Sequence, residues 1–427
     1  MTRKSIYRRV LIFILFISIA AVGVYGYHLL KNSIPNSIKI LAGMEQEFDF
    51  GIKTDAIVYE ESVTAANSGT SNIPTNQLNI SSNDTLTLSS NEVGKYTINC
   101  KLFGIFELKN IEVDVINQQY VTPCGTSIGI YIETDGVLVI GTGDINGING
   151  LNYNPAYNIV KSGDYILSVN SEAVNNKTEL IQKINAYGAE DITLGVKRNN
   201  EIIELCVKPV LTAPEEYKLG IWVRDNTQGI GALTYIDSND NFGALGHGIN
   251  DVDTSELMSL KTGKLYNTDI ISITKGVKGI PGELGGVICY SDSEVIGEIH
   301  SNTSSGIFGT LSAEEVSSIN NEPMEICLKQ DIQLGAATIL SSVDGSVKEY
   351  AIEIQEIQLN DKDANKGLVI QVTDPELLEL TGGIVQGMSG SPILQNGKII
   401  GAVTHVFIQD STRGFGIFIE NMIHSSK

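Results

Sequence analysis

A serine set among glycines, Gly387-Met-Ser-Gly-Ser-Pro392, is the segment of this chain best suited to covalent chemistry. A hydroxyl in so tight a turn is exposed, with little around it to obstruct an acyl group. The backbone N–H groups of Gly387 and Ser389 are expected to converge as an oxyanion hole, each donor worth roughly 2.7–4 kcal/mol. Such a serine, Ser389, needs a base within reach. The chain has five histidines, of which His28 lies in an apolar N-terminal run and His424 near the C-terminal end. That leaves His247, His300 and His405. His247, in Phe242-Gly-Ala-Leu-Gly-His-Gly-Ile249, ends an apolar strand and stands between two glycines, with room for a substrate and a serine Oγ. His300, ending the run 295–299, is expected to be structural. His405 follows Ser389 by sixteen residues and is expected to shape specificity rather than transfer protons. The third member should be a carboxylate that holds the imidazole in one tautomer and offsets its developing charge. Asp374, in Val372-Thr-Asp-Pro375, is the first choice, with Asp251 and Asp253 as rivals. Asp374 stands only 15 residues before Ser389, and its Thr-Asp-Pro setting equally suits a plain turn.

The G-x-S-G-S-P pattern is similar to that of chymotrypsin-like peptidases, in which the first serine attacks and x is usually Asp; here x is Met388. No H-E-x-x-H or carboxylate–histidine cluster is present in the sequence, so neither a metal nor another cofactor is expected. The five cysteines, Cys100, Cys124, Cys206, Cys289 and Cys327, have spacings of neither a zinc site nor a disulfide framework. Cys289 lacks a glycine-turn setting and is a poor nucleophile candidate.

These residues need elements to hold them. Val10 to Leu30 is an uncharged, mostly apolar run of 21 residues, long enough to cross a bilayer of about 30 Å. Arg3, Lys4, Arg8 and Arg9 precede it, which predicts a cytoplasmic N-terminus and a body outside the cytoplasm. Of the 29 basic and 50 acidic residues, five basic and no acidic ones lie in residues 1–31, leaving the remainder at a net −26. So acidic a body repels phosphate backbones and argues against nucleic-acid binding.

The expected fold is mainly β in four parts. Residues 1–35 form the cytoplasmic tip, transmembrane helix and linker. Residues 36–118 form a small β-sandwich spacer, with strands at 38–41, 47–52, 85–88, 96–102 and 111–115 and a long polar loop at 64–82. Residues 119–211 resemble a PDZ domain through Ser162-Gly-Asp-Tyr-Ile-Leu-Ser-Val-Asn170 and a helix at 176–187. In that resemblance Ser127, Ile128, Gly129 and Ile130 form the carboxylate-binding loop for an extended peptide. Residues 212–427 form a chymotrypsin-like double β-barrel peptidase domain.

Four segments make a more specific match. They are G-A-L-G-H-G-I around His247, K-G-x-x-G-I-P-G-E-L-G-G at 275–286, N-T-x-x-G-I-F-G at 302–309 and T-G-G-I-V-Q-G-M-S-G-S-P-I at 381–393. With the domain order, they make the chain resemble the stage IV sporulation protein B serine peptidases of endospore-forming bacteria. The resemblance implies a catalytic triad of His247, Asp374 and Ser389. It implies an enzyme between forespore and mother-cell membranes that cuts its own N-terminal region, here expected between about residues 40 and 80. It then cuts the extracytoplasmic part of a membrane protein, releasing an intramembrane protease that activates a late sporulation sigma factor. The alternative from another class is a catalytically inactive PDZ adaptor that binds peptide termini at the membrane.

Overall fold

The computed structural model describes residues 3–48, 54–59, 78–82, 86–102, 106–360 and 363–426. They fall into two compact units, Met1–Gln119 and Tyr120–Lys427.

The first unit begins with the helix Arg3–Ser33, in which Tyr7–Asn32 is long and apolar enough to cross a membrane. Its apolar side chains have no protein partner face: Phe13, Phe16 and Val22 are 65%, 67% and 71% exposed. A helix apolar all round suits lipid rather than water. The rest of the unit is two sheets around one core. One sheet runs Ser37–Leu41, Phe106–Ile116, Gly94–Leu102, Thr54–Tyr59, and the other Glu45–Phe48, Leu86–Ser89, Asn79–Ser82. Alternate residues Ile38, Ile40, Leu86, Leu88, Ile111, Val113 and Val115 point inward, as a half-buried strand requires. Thr54–Tyr59 and Asn79–Ser82 are strands beyond those expected. Most of the long loop expected at 64–82, residues 64–77, lies outside the described residues.

The second unit holds two barrels. In the first, Ser127–Thr142 pairs with Ile221–Ile236, which pairs with Asn241–Ala244, then Gly306–Leu311, Val295–Thr303 and Thr262–Thr274, which returns to Ser127–Thr142. Six antiparallel strands thus close on a core of Ile128, Ile130, Ile132, Leu233, Phe242, Leu265 and Ile299. The second barrel is closed by Gly335–Ser341, Lys348–Ile357, Leu368–Val372, Asp410–Phe418, Lys398–Phe407 and Pro392–Gln395. Its core includes Ile339, Tyr350, Ile370, Ile393, Ile400 and Met388. Closure removes the exposed sheet edges that would otherwise invite aggregation. The double barrel expected for residues 212–427 is therefore present, but it draws one strand from upstream.

That strand is Ser127–Thr142, read from the sequence as two strands of a separate PDZ-like domain. It is continuous, and its first half belongs to the peptidase barrel. Beyond the cross-strand pair Glu133 and Asn226, it and Ile221–Ile236 leave the barrel together, with register shifts at Trp222/Val223 and Arg224/Asn226. Such bulges bend and twist a ribbon. Thr134 Oγ1 fixes the bend, donating to the Gly136 and Asp225 carbonyls at 2.6 and 3.1 Å. The ribbon then adds Tyr165–Val169, Ile192–Arg198 and Glu201–Val207 to its sheet. The helix Lys177–Tyr187 packs on this sheet through Leu180 and Ile184; Asn176 caps it, its Oδ1 accepting the Glu179 N–H at 2.9 Å. The run 154–160 forms turns rather than the expected short helix. The module is thus inserted into the first barrel, and no break at 211/212 divides the unit.

Candidate active site

Ser389 opens the strand Pro392–Gln395 of the second barrel, and His247 follows Asn241–Ala244 of the first. Sequence separation is overcome by direct stitching at the seam. The Ala232 N–H donates to the Ser389 carbonyl at 2.8 Å, and Thr234 Oγ1 donates to the Gly390 carbonyl at 2.8 Å. Gly390, at φ 96°, is required there: a Cβ would stand 2.1 Å from the Ala232 oxygen. On the histidine side Gly246, at φ 70°, turns the chain under the same seam; a Cβ would lie 3.1 Å from Thr404.

Two of the motifs support these loops. Asn302 staples the chain after His247, its Oδ1 accepting the Ile249 N–H and its Nδ2 donating to the Ile249 and Met258 carbonyls, at 2.8–2.9 Å. The segment Gly282–Leu284 pairs with Gln386, just before the serine turn, through bonds of 2.8 and 2.9 Å. Met388, where an Asp was the usual residue, is fully buried in the barrel core. Neither the Gly387 nor the Ser389 N–H donates to another described residue, so both stay available to an oxyanion.

The His247 imidazole contacts the Gly248 carbonyl through Nδ1 at 2.9 Å. A carbonyl oxygen only accepts, so Nδ1 carries the proton and Nε2 is left as the basic nitrogen. Burial pushes the His247 pKa below the usual imidazole value, against the Gly248 hydrogen bond that favours the charged form. Ser389 Oγ donates to the Thr404 carbonyl at 2.8 Å, and no hydrogen bond joins it to His247.

The three carboxylates considered from the sequence are engaged elsewhere, and none is hydrogen-bonded to His247. Asp374 caps the helix Pro375–Thr381: Oδ1 accepts the Leu377 N–H at 3.0 Å and Oδ2 the Ala351 N–H at 3.2 Å. The turn-like Thr-Asp-Pro setting, a signature of helix starts, describes what Asp374 does here. Asp251 is buried against Arg224, and Asp253 accepts from the same guanidinium at 2.9 Å.

The ring beside His247 is instead His405, with centroids 4.9 Å apart and planes at 36°. Burial, then the neighbouring His247, lowers the His405 pKa to about 4. Behind it lies a turn whose Asp363 is paired with Lys366 at 2.7 Å; that pairing holds the Asp363 carboxyl below the usual range. Asp363 was missed in the sequence because nothing in Asp361-Lys-Asp-Ala-Asn365 marks it as near the strand of His405. His300 is exposed and bonds Thr310 Oγ1 at 3.0 Å, as a structural histidine would.

The expected peptide loop does not form. Ser127, Ile128, Gly129 and Ile130 lie in a barrel strand with both edges occupied, by residues 229–232 on one side and, from Ile128 on, 265–267 on the other. Ser127 also receives the Ser342 hydroxyl at 2.9 Å and gives its N–H to the same oxygen at 2.8 Å. An extended peptide has no edge to join here. Among the described residues no group of three or more His, Cys, Asp or Glu could hold a metal ion.

Residues 215–423 match the family model described as SpoIVB peptidase S55. No curated protein matches the chain. Among solved structures, the Rv3671c protease is similar in its inactive form, at 13% identity and a TM-score of 0.26 over 46% of this chain and 81% of that one. Its active form from M. tuberculosis is similar at 12% identity and a TM-score of 0.28, over 47% and 73%. Residues 215–423 are thus similar to the SpoIVB peptidase S55 family, and the chain is a serine peptidase.

Proposed function

We propose that this peptidase is a membrane-anchored endopeptidase of sporulation signalling. It works outside the cytoplasm, between forespore and mother-cell membranes, and cuts its own N-terminal region. It then cuts the extracytoplasmic part of a membrane protein, which triggers intramembrane proteolysis and activation of a late sporulation sigma factor. The observation that carries the reading is the juncture of two closed barrels, with the Ser389 turn and the His247 loop at one seam. The apolar helix Tyr7–Asn32 supports the anchor, with the basic residues before it setting its orientation.

In this reading Ser389 is the nucleophile and His247 Nε2 its base. Ser389 Oγ leaves the Thr404 carbonyl, passes its proton to Nε2 and attacks the scissile carbonyl. The oxyanion is received by the free N–H groups of Gly387 and Ser389. The imidazolium then protonates the leaving amine, and water repeats the sequence to release the acyl group. Asp374, if it is the acid the family pattern implies, must leave its helix cap to reach His247. Peptide segments, in cis and in trans, are bound by the inserted module rather than by Ser127–Ile130.

Two measurements test the core of this reading. A fluorophosphonate should label the full-length protein at Ser389, and Ser389→Ala should abolish both labelling and release of the shortened forms. Cleavage that persists in Ser389→Ala, with no labelling of the wild type, would leave an adaptor that only binds. N-terminal sequencing of aged protein should place the new terminus between about residues 40 and 80. An intact terminus in active protein would remove self-cleavage.

A further inference from the structure

His247 has its tautomer fixed by a backbone carbonyl rather than a carboxylate, which leaves open what holds the plane of its ring. A single hydrogen bond at Nδ1 permits rotation about that contact. We propose that His405 is a positioning residue, its imidazole packed in tilted contact against His247 so that Nδ1 stays on the Gly248 carbonyl and Nε2 is kept for the Ser389 proton. The inference rests on the serine-peptidase reading of Ser389 and His247.

Three observations support it. The rings are in tilted contact at 4.9 Å, within the range of productive aromatic pairs. His405 is adjacent in sequence to Thr404, whose carbonyl holds the Ser389 hydroxyl, so one strand carries the contacts of both members. The strand is itself fixed: Thr404 Oγ1 donates to the Asn365 carbonyl at 2.7 Å, and Gly390 donates to Val403 at 2.8 Å.

The titratable groups that act on His405 are His247 on the first barrel and Asp363 and Lys366 on the turn 363–366. Arg413 stacks over Phe407 at 5.1 Å, and Lys366 over Phe415 at 5.7 Å. With His405 neutral above about pH 4, its effect on His247 near neutrality is through packing and exclusion of water, not through charge. A ring without nitrogens should therefore serve, whereas a flexible amide should not.

The test uses the full-length protein in detergent, with fluorophosphonate inactivation of Ser389 measured across pH 4–9. His405→Gln is expected to lower the maximal inactivation rate by about tenfold or more while the half-saturating reagent concentration stays unchanged, as for a misplaced catalytic group. Its acid limb should move up toward the ordinary histidine value of about 6.5, because water then reaches His247. His405→Phe is expected to keep the rate within about threefold and to keep the wild-type limb. Thermal unfolding of each variant shows that the comparison is between folded proteins. A change confined to half-saturation in His405→Gln would overturn the proposal and make His405 a specificity residue. Equal damage in His405→Phe and His405→Gln would overturn it also. Wild-type protein that is not labelled at Ser389 would instead remove the reading beneath it.

Discussion

Met388 and Asp374 illustrate how single residues near the serine answer to packing before chemistry. Met388 stands where related patterns carry Asp, and it fills the barrel core with no exposed surface. Met388→Asp should therefore not improve the site. It should bury a carboxylate without a partner and cost about 3 kcal/mol or more, read as a fall in the urea midpoint. Asp374 needs two variants to separate its possible roles. Asp374→Ala removes the cap and should destabilise by about 0.5–2 kcal/mol, whereas Asn is an equally good cap. If Asp374→Asn keeps stability but loses Ser389 labelling, the carboxylate acts in a rearranged state. If it keeps both, Asp374 is a cap alone. The two histidines bear on pH. Both have folded pKa values below the usual one, so the unfolded chain takes up protons that the folded chain refuses. Stability from this source is present above about pH 6.5 and is lost as pH falls toward the folded values. The melting temperature should drop between pH 7 and 5, and less so in His405→Phe. At this scale the serine and histidine were legible because their glycine settings are local. Whether Asp374 is cap or acid was not legible, because the two roles share one sequence signature.

Elements hold the site by clamps that sequence periodicity does not display. The loop after His247 is tied by Asn302 from a strand 55 residues further on, and by the Arg224 fork onto Asp251 and Asp253. Asp251 is 2% exposed. Burial would raise its pKa, but the N–H groups of Thr254 and Asp253 and then Arg224 more than offset this and leave it lowered. Arg224→Met should strand that carboxylate. The expected loss is roughly 2–4 kcal/mol, below the 3–5 of a fully buried pair because the guanidinium is partly solvated. With a lowered folded pKa, the pair's contribution is present above about pH 4 and disappears on acidification. The deficit of the variant should therefore shrink toward low pH, and a constant deficit would contradict this account. Strands were readable wherever β-branched residues alternate, as in 192–197 and 201–207, both found nearly as expected. The helix at 177–187 was readable from its Asn cap and apolar spacing. What the pattern concealed was continuity: Thr134-Asp-Gly136 reads as a turn ending one strand, while Thr134 Oγ1 carries the ladder across it as a bulge.

Across the whole molecule, composition bounded the class correctly and misplaced one boundary. A chain of net charge −21 with a basic, apolar N-terminus reads as an anchored acidic body, and the helix Arg3–Ser33 is long enough for that role. The N-terminal helix and the spacer strands fall together into one unit, Met1–Gln119. The next expected boundary, 211/212, has no counterpart, since local sequence cannot report that a strand at 127–133 pairs with residues nearly a hundred positions later.

That pairing makes the inserted module a graft at the tip of a hairpin, and a graft can be cut back. Glu133 and Asn226 already face each other across the ribbon, so a chain running from Glu133 through Asn-Gly into Asn226 would close an ordinary two-residue hairpin. Such a protein also loses Arg224, so Asp251→Asn is added to remove the stranded carboxylate. It should then still fold and still present Ser389 to a fluorophosphonate, while losing whatever choice of peptide the module confers. Deleting residues 119–211 would instead tear a stave from the first barrel and yield insoluble protein. The smallest working peptidase is thus obtained by trimming inside the chain, at a seam invisible in its linear order.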